Sequence, residues 1–393
     1  VRCPHGHALM LGDPAHTDDA FIAAVSSWRG ALVVVEAREI ASRLGRADVL
    51  RCAPGRADSI AINPLLGVRG GAHAWSDATA LARAYLRTTD GMLVASFAAL
   101  VLDTLTHGKP AARSFAGMRQ ALADPQRRLA ELCARWADGA SDLGPATGEL
   151  TRVARHWRRD GEAALRMLRD IDIALRLFAD GDHALATESH QLRLADLVSG
   201  DRPMTLVIQM TAGREQEASA ALVSALLAQL VAACAPSSDL DQLGRIKRRD
   251  LLLVIEADAL EVLTTEASSS SVQPSKNTSP PLMDETLSLA HQRGLRVLAQ
   301  ARCISNAAAL IRADGHSVDN VGVAFPAIAA IGPQTDASAR ALVERAGSVE
   351  YWRRWQGETR TIARWLLPYW ERAAEWAVAP DALRAAPASD GLL

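Results

Sequence analysis

Apolar and polar positions along this chain follow two rhythms. Short apolar runs bounded by polar or glycine-bearing turns occupy residues 7–11, 31–35 and 48–52, and helix-period stretches fill 20–28 and 39–44 between them. The run Ala31-Leu32-Val33-Val34-Val35 is continuous where an exposed strand would alternate, which suits a parallel strand covered on both faces. Strand, helix, strand, helix, strand in that order predicts a doubly wound sheet.

After Asn63 the helical rhythm takes over until about residue 189. Residues 75–86 and 92–105 read as core-facing helices, and the later helices, 126–136, 148–157 and 162–178, carry more Arg, Asp and Glu on one face. Strand-like runs return at 204–208, 251–255, 294–299 and 320–325, with an apolar helix at 217–233. The expected organisation is therefore α/β, a sheet formed by residues 1–111 and 191–393 and split by an all-helical insertion at 112–190. A Ser/Thr/Pro tract at 264–281 lacks periodicity and reads as a disordered loop. Between Tyr351 and Trp376, Trp352, Trp355, Trp365, Trp370 and Trp376 interleave with Arg353, Arg354, Arg360 and Arg364. The pattern predicts a helix packing its Trp side on the sheet, with a partner surface or base-stacking surface as rival readings.

Composition narrows the function classes. A formal charge of −2 over 393 residues gives no whole-chain case for nucleic-acid binding, although Gly244 to Arg249 is a local basic cluster. Cys3, Cys52, Cys133, Cys234 and Cys303 show no CxxC spacing, so neither a disulfide framework nor a zinc site is expected. Cys3, His5 and His7 alternate without a second ligand pair, and no metal site is expected there either. No run of about 18 apolar residues stands out as a membrane span, and the chain starts at Val1 with no Met.

The candidate chemistry sits at the first strand-to-helix turn, GDPAHTDD at 12–19. A phosphate loop of the form GxxxxGK[ST] cradles phosphates with backbone N–H groups and neutralises them with Lys. Here Gly12 remains, the second glycine is absent, and the first lysine in the chain is Lys109. Asp13, His16, Thr17 and Asp18 stand in a nucleotide-binding loop's place, and either Thr17 or Asp18 is expected to cap the helix. A carboxylate about 4 Å from a phosphate oxygen is repelled by about 4 kcal/mol at an effective dielectric near 20. The magnesium-and-water strand of such enzymes ends hhhhDE; this chain has Val254-Ile255-Glu256-Ala257-Asp258. Glu256 takes the Asp position, Ala257 replaces the water-activating Glu, and Asp258 follows one residue late.

Taken in order, several weak motifs resemble those of the type IV coupling proteins, the TraG-type conjugal transfer ATPases. They are Trp28-Arg29-Gly30 with the strand ending at Glu36, Cys52-Ala53-Pro54, INPLLG at 62–67, and SDATALARAYL at 76–86. The resemblance continues through the return to the sheet at 192–210, LLLVIEADAL at 251–260, the segment 284–305 and Pro380-Asp381-Ala382-Leu383. It implies a RecA-like P-loop NTPase-type sheet with an all-helical insertion that contacts substrate, in a membrane-anchored and often hexameric protein at the cytoplasmic face of the bacterial inner membrane. Gln300 matches the family's glutamine that reaches the nucleotide. His156, Trp157, Arg158 and Arg159 in the insertion, with Trp352 and Trp355, become partner-binding candidates.

The departures at the phosphate loop and at Ala257 lead to an expected monomeric adaptor or scaffold for protein or DNA cargo at a type IV secretion or conjugation apparatus. Little or no ATPase activity, no cofactor and no metal go with it. The alternative is an active ATP-dependent translocase using ATP and Mg.

Overall fold

The computed structural model describes residues 7–88, 90–137, 141–178, 181–199, 202–211, 215–234, 250–264 and 294–311, with shorter stretches between 321 and 392. Strands β1 (Ala8–Leu11), β2 (Ala31–Glu36), β3 (Val49–Cys52), β4 (Thr205–Gln209), β5 (Leu251–Ile255), β6 (Leu295–Ala301) and β7 (Ala327–Ile331) pair in parallel. A two-residue β10 (Gly391–Leu392) adds antiparallel to β7, and the sheet order is β10-β7-β1-β6-β5-β2-β4-β3.

The continuous apolar strands are explained by their two faces. Leu32 and Val34 meet helix α1 (Pro14–Ser26) and the short 3-10 turn Ile40–Leu44 in one cluster with Phe21, Val25 and Val254. Val33 and Val35 face the opposite side and join a larger core built with α2 (Ala74–Leu86), α3 (Gly91–His107) and α10 (Gln216–Cys234). That core runs without a break into the helices α4 (Phe115–Ala121), α5 (Pro125–Ala137), α6 (Thr147–Arg159) and α7 (Gly161–Leu175). Two short helices, α8 (Gly181–Glu188) and α9 (Leu194–Ser199), lead back to β4, while α11 (Ala257–Thr264) and α12 (Ile304–Ile311) follow β5 and β6.

One charged knot ties the helical layers. Asp103 of α3, buried, accepts from Arg128 and Arg135 of α5 at 2.6 Å each. Trp136 and Trp157 pack at a tilt beside it, with ring centroids 5.0 Å apart and planes at 40°.

Three expectations change. The strand anticipated at 320–325 is instead β7, a few residues later, and Phe325 is a buried core residue preceding it. The C-terminal Trp/Arg segment is not helical where described: β8 (Ser348–Arg354) and β9 (Trp370–Trp376) form a separate antiparallel ribbon. Spacing alone misled there, because Trp and Tyr also favour strands. Within α10, residues 216–233 are long and apolar enough to span a membrane, contrary to expectation, but 78% of that window is buried; the helix packs against α2. The tract 265–281, the cluster Gly244 to Arg249, Trp355 and the segment 380–383 lie outside the described residues.

Candidate functional site at the carboxyl edge of the sheet

In an open α/β sheet, ligands bind beyond the carboxyl ends of the strands. Five of those ends converge here through Gly12 after β1, Ala37 and Arg38 after β2, Glu256 after β5, Arg302 after β6 and Gly332 after β7.

The turn from β1 to α1 is two residues long, Gly12 and Asp13. Gly12 has φ +140°, and a Cβ there would lie 2.2 Å from the Ile331 carbonyl oxygen, so glycine is required. Its N–H donates to the Ala301 carbonyl at 3.0 Å. Asp13, not Thr17 or Asp18, caps α1: its Oδ1 accepts from the Ala15 N–H at 2.8 Å, and its carbonyl accepts from His16 and Thr17 at 2.9 and 3.0 Å. Pro14 has no N–H to offer.

A helix N-terminus is ordinarily an anion site because its first N–H groups are free. In α1 the N–H groups of residues 15–17 are committed to Asp13. A carboxylate belonging to the chain already sits where a phosphate would be drawn. Sequence reasoning missed this cap because Pro14 starts the helix ahead of Thr17 and Asp18, the residues expected to cap it.

Thr17 is buried; its hydroxyl donates to the Asp13 carbonyl at 3.1 Å and accepts from Gln300 Nε2 at 2.6 Å. Gln300 also donates to Asp18 at 2.9 Å, and its Oε1 accepts from the Ala257 N–H at 3.4 Å. The glutamine expected to reach a nucleotide is thus engaged with α1. His16 lies on the surface of α1 with its ring against Gly332.

Glu256 has a fully buried side chain, and its carboxylate accepts from the N–H groups of Ala37, Asp258 and Ala259 at 3.0, 3.0 and 3.2 Å, and from Arg38 Nε. It therefore caps α11, which accounts for an acid at a strand end without invoking magnesium.

Arg38 joins these parts. One guanidinium nitrogen pair grips Asp18 at 2.9 and 3.1 Å, while Nε reaches Glu256 and lies 3.1 Å from Asp258. Burial works to lower its proton affinity, and the hydrogen bonds to Asp18 and Glu256 overcome that and hold it above the usual arginine range. The chain of pairs continues on both sides: Arg43 meets Asp19 at 2.7 Å, while Arg302 meets Asp258 and also Glu261 at 3.0 Å. The result is a seam of alternating charge from α1 across the β2 end to α11 and the β6 end.

Structure thus brings together Gly12, Asp13, Thr17, Asp18, Glu256, Asp258 and Gln300, all singled out in sequence. It adds Arg38 and Arg302, which sequence reasoning missed. Their available signal was position, since Arg38 stands two residues after β2 and Arg302 directly after β6.

The partner candidates fare differently. Trp157 is 1% exposed, and its indole donates to Ser96 at 3.2 Å, so it is interior and cannot present a surface to a partner. Arg158 is exposed yet donates to the Cys133 carbonyl at 2.8 Å; Arg159 is exposed and His156 half-buried. Trp352 lies in β8, opposite Arg372 of β9 in the register. Among the described residues no group of three His, Cys, Asp or Glu is placed to hold a metal.

No family model and no curated protein matches this chain. Solved structures do. The bacterial conjugative coupling protein TrwBdeltaN70, unbound, superposes with a TM-score of 0.59 at 16% identity, over 97% of this chain and 80% of that one. TrwB in complex with ADP and Mg2+ gives 0.58 at 16% identity, over 98% and 81%. At that identity the likeness is one of fold: this chain has the fold of the bacterial conjugative coupling proteins.

Proposed function

We propose that this chain is a coupling-protein homologue whose nucleotide edge has become an internal ion-paired seam. It acts as an adaptor or scaffold for substrate recruitment in type IV secretion or conjugative DNA transfer, with little or no ATPase activity. In this reading it works without ATP or Mg, as a monomer at the cytoplasmic face of the inner membrane, alongside components of the apparatus and their protein or DNA cargo.

One observation carries the reading. The groups that would receive a nucleoside triphosphate are satisfied by the chain itself: Asp13 saturates the first turn of α1, Gln300 holds Thr17 and Asp18, and Arg38 joins Asp18 to Glu256. Nothing in the turn offers free N–H groups backed by a lysine, which is what phosphate binding needs. Six carboxylates against three guanidinium groups in the seam would also repel a polyphosphate.

The testing experiment is an ATP hydrolysis assay with and without single-stranded DNA, run beside a solution mass measurement. The expected outcome is no turnover above a buffer blank in either condition and the mass of one chain. DNA-stimulated hydrolysis that disappears in Glu256→Ala would show the translocase reading to be correct.

A further inference from the structure

A hydrogen-bonded cluster stands apart from the seam, beyond the carboxyl end of β4. His183 of α8 is 4% exposed, and its Nε2 lies 3.1 Å from Oγ of Ser219 in the first turn of α10. Ser219 is buried as well; its Oγ accepts from the Thr211 N–H at 3.1 Å and lies 2.9 Å from Thr211 Oγ1. One imidazole thus ties α8 to α10 and to the segment leaving β4. The Phe178 ring meets it edge-on, with centroids 6.1 Å apart. Further along α8, the Ala186 carbonyl accepts from the Ile62 N–H at 2.8 Å.

The charges facing this ring are acidic. Nδ1 lies 3.7 Å from Glu215 Oε2, too far for a hydrogen bond, and Glu215 is more than half exposed. Asp182, the neighbour of His183 on α8, adds a second negative charge from an exposed position. Cations on the elements packed against α8 are committed elsewhere: Arg119 of α4 and Arg176 of the turn Arg176–Phe178 pair with Asp172. Arg56, beside the Gly55 that packs on Asp182, pairs with Glu39 and Asp58, while Glu217 of α10 acts on Tyr85 and Arg87.

With a carboxylate facing Nδ1, the proton of the neutral ring is assigned to Nδ1, and Nε2 accepts from the Ser219 hydroxyl. A second proton has to go on Nε2. It forces the Ser219 hydroxyl round toward Thr211 and leaves a full charge in a ring closed from water. Burial outweighs the pull of Glu215 and Asp182 and holds His183 below the usual 6.5.

We propose that His183 is an acid-sensitive latch: neutral, it locks α8 against α10 and the exit from β4, and protonated, it releases α8 and with it the return of the helical layers to the sheet. The latch lies away from the nucleotide edge and stands apart from the closed-seam reading. Because the locked ring binds a proton less readily than the released one, the lock is complete above about pH 6.5 and weakens as the pH falls below it. A catalytic use of the same Ser, His and Glu fits less well, since Ser219 is 1% exposed and out of a substrate's reach.

The test is hydrogen exchange of the full chain at about pH 7.5 and about pH 5.5, read by mass spectrometry and corrected for intrinsic exchange at each pH. The α8 amides are expected to lose about three- to tenfold in protection at the lower pH, tenfold being the most that one site released at 6.5 contributes one unit below it. Those of α3 should hold. His183→Gln keeps a hydrogen-bonding group toward Ser219 and takes no proton, so its α8 protection should stay level. Equal protection of the parent's α8 at both pH values, or an equal loss in His183→Gln, would overturn the latch.

His190, two residues beyond α8, is also held low by burial. In His190→Gln the α8 loss should persist; its disappearance would move the role to His190 and overturn the proposal. Should His183→Gln leave α8 unprotected at both pH values, Glu215→Gln decides. Without that carboxylate the locked ring is still harder to protonate, so acid should loosen α8 further than in the parent. An unchanged or smaller loss would overturn the latch.

Discussion

Glu36 shows how far a single residue's chemistry can depart from its sequence context. At the end of β2 it is fully buried; Oε2 accepts from the Ala41 N–H at 2.7 Å, and Oε1 lies 3.5 Å from Arg51 without a hydrogen bond. Burial pushes its carboxyl above the usual 4.5, outweighing the Ala41 hydrogen bond and the Arg51 charge that pull it down. A carboxyl that holds its proton more tightly folded than unfolded makes stability fall as pH rises from about 4.5 through its folded value, and restores it on acidification. Glu36→Gln keeps an acceptor for Ala41 and removes the charge. Its denaturation midpoint should lose that part of the pH slope and equal or exceed the parent's at pH 7. A variant that is less stable at pH 7 with an unchanged slope would assign Glu36 an ionised, stabilising role.

At the scale of elements, the seam joins parts that sequence reading treats separately. Gly12, the acid after β5 and Gln300 were legible because each belongs to a motif of fixed form: a glycine at a strand-to-helix turn, an apolar run ending in acid, a glutamine after a late strand. Arg38 belongs to no such form. Its partners Asp18 and Glu256 lie 20 and 218 residues away, and pairing across that separation is set by the strand order, which only the folded sheet supplies. The cap of α1 is misplaced in sequence for a related reason, since several acids and a threonine in the run 12–19 can each cap a helix and only the fold shows that the turn holds two residues.

The same geometry predicts the cost of cutting the seam. Arg38→Ala leaves the buried Glu256 carboxylate with backbone donors and no cation, for an expected loss of about 2–3 kcal/mol in urea denaturation. Arg43→Ala, whose partner Asp19 is solvent-exposed, should cost less than about 1 kcal/mol. Similar values for the two would mean that Arg38 does not hold the seam.

For the whole molecule, the hydrophobic rhythm was enough to find the parallel sheet and most of the helices, because burial on both faces of β2, β4 and β5 writes a continuous apolar run. It was not enough at the carboxyl-terminal end. There β7 begins after its apolar forerunner Phe325, and β8 and β9 carry the aromatic residues expected on a helix. The partner assignment for Trp157 failed because a Trp on an otherwise basic helix is still most stable in a core, and α6 turns it toward Trp136. The fold is that of the coupling proteins, and in the proposed reading its carboxyl edge, closed by the chain's own side chains, does not receive phosphate.

The measurement that tests this reading most directly is a calorimetric titration of the full chain with Mg-ATP, repeated on Glu256→Ala. The seam predicts no saturable binding heat up to millimolar nucleotide for either protein. Saturable binding at micromolar concentration, lost in Glu256→Ala, would contradict it and return the chain to the nucleotide-driven translocases.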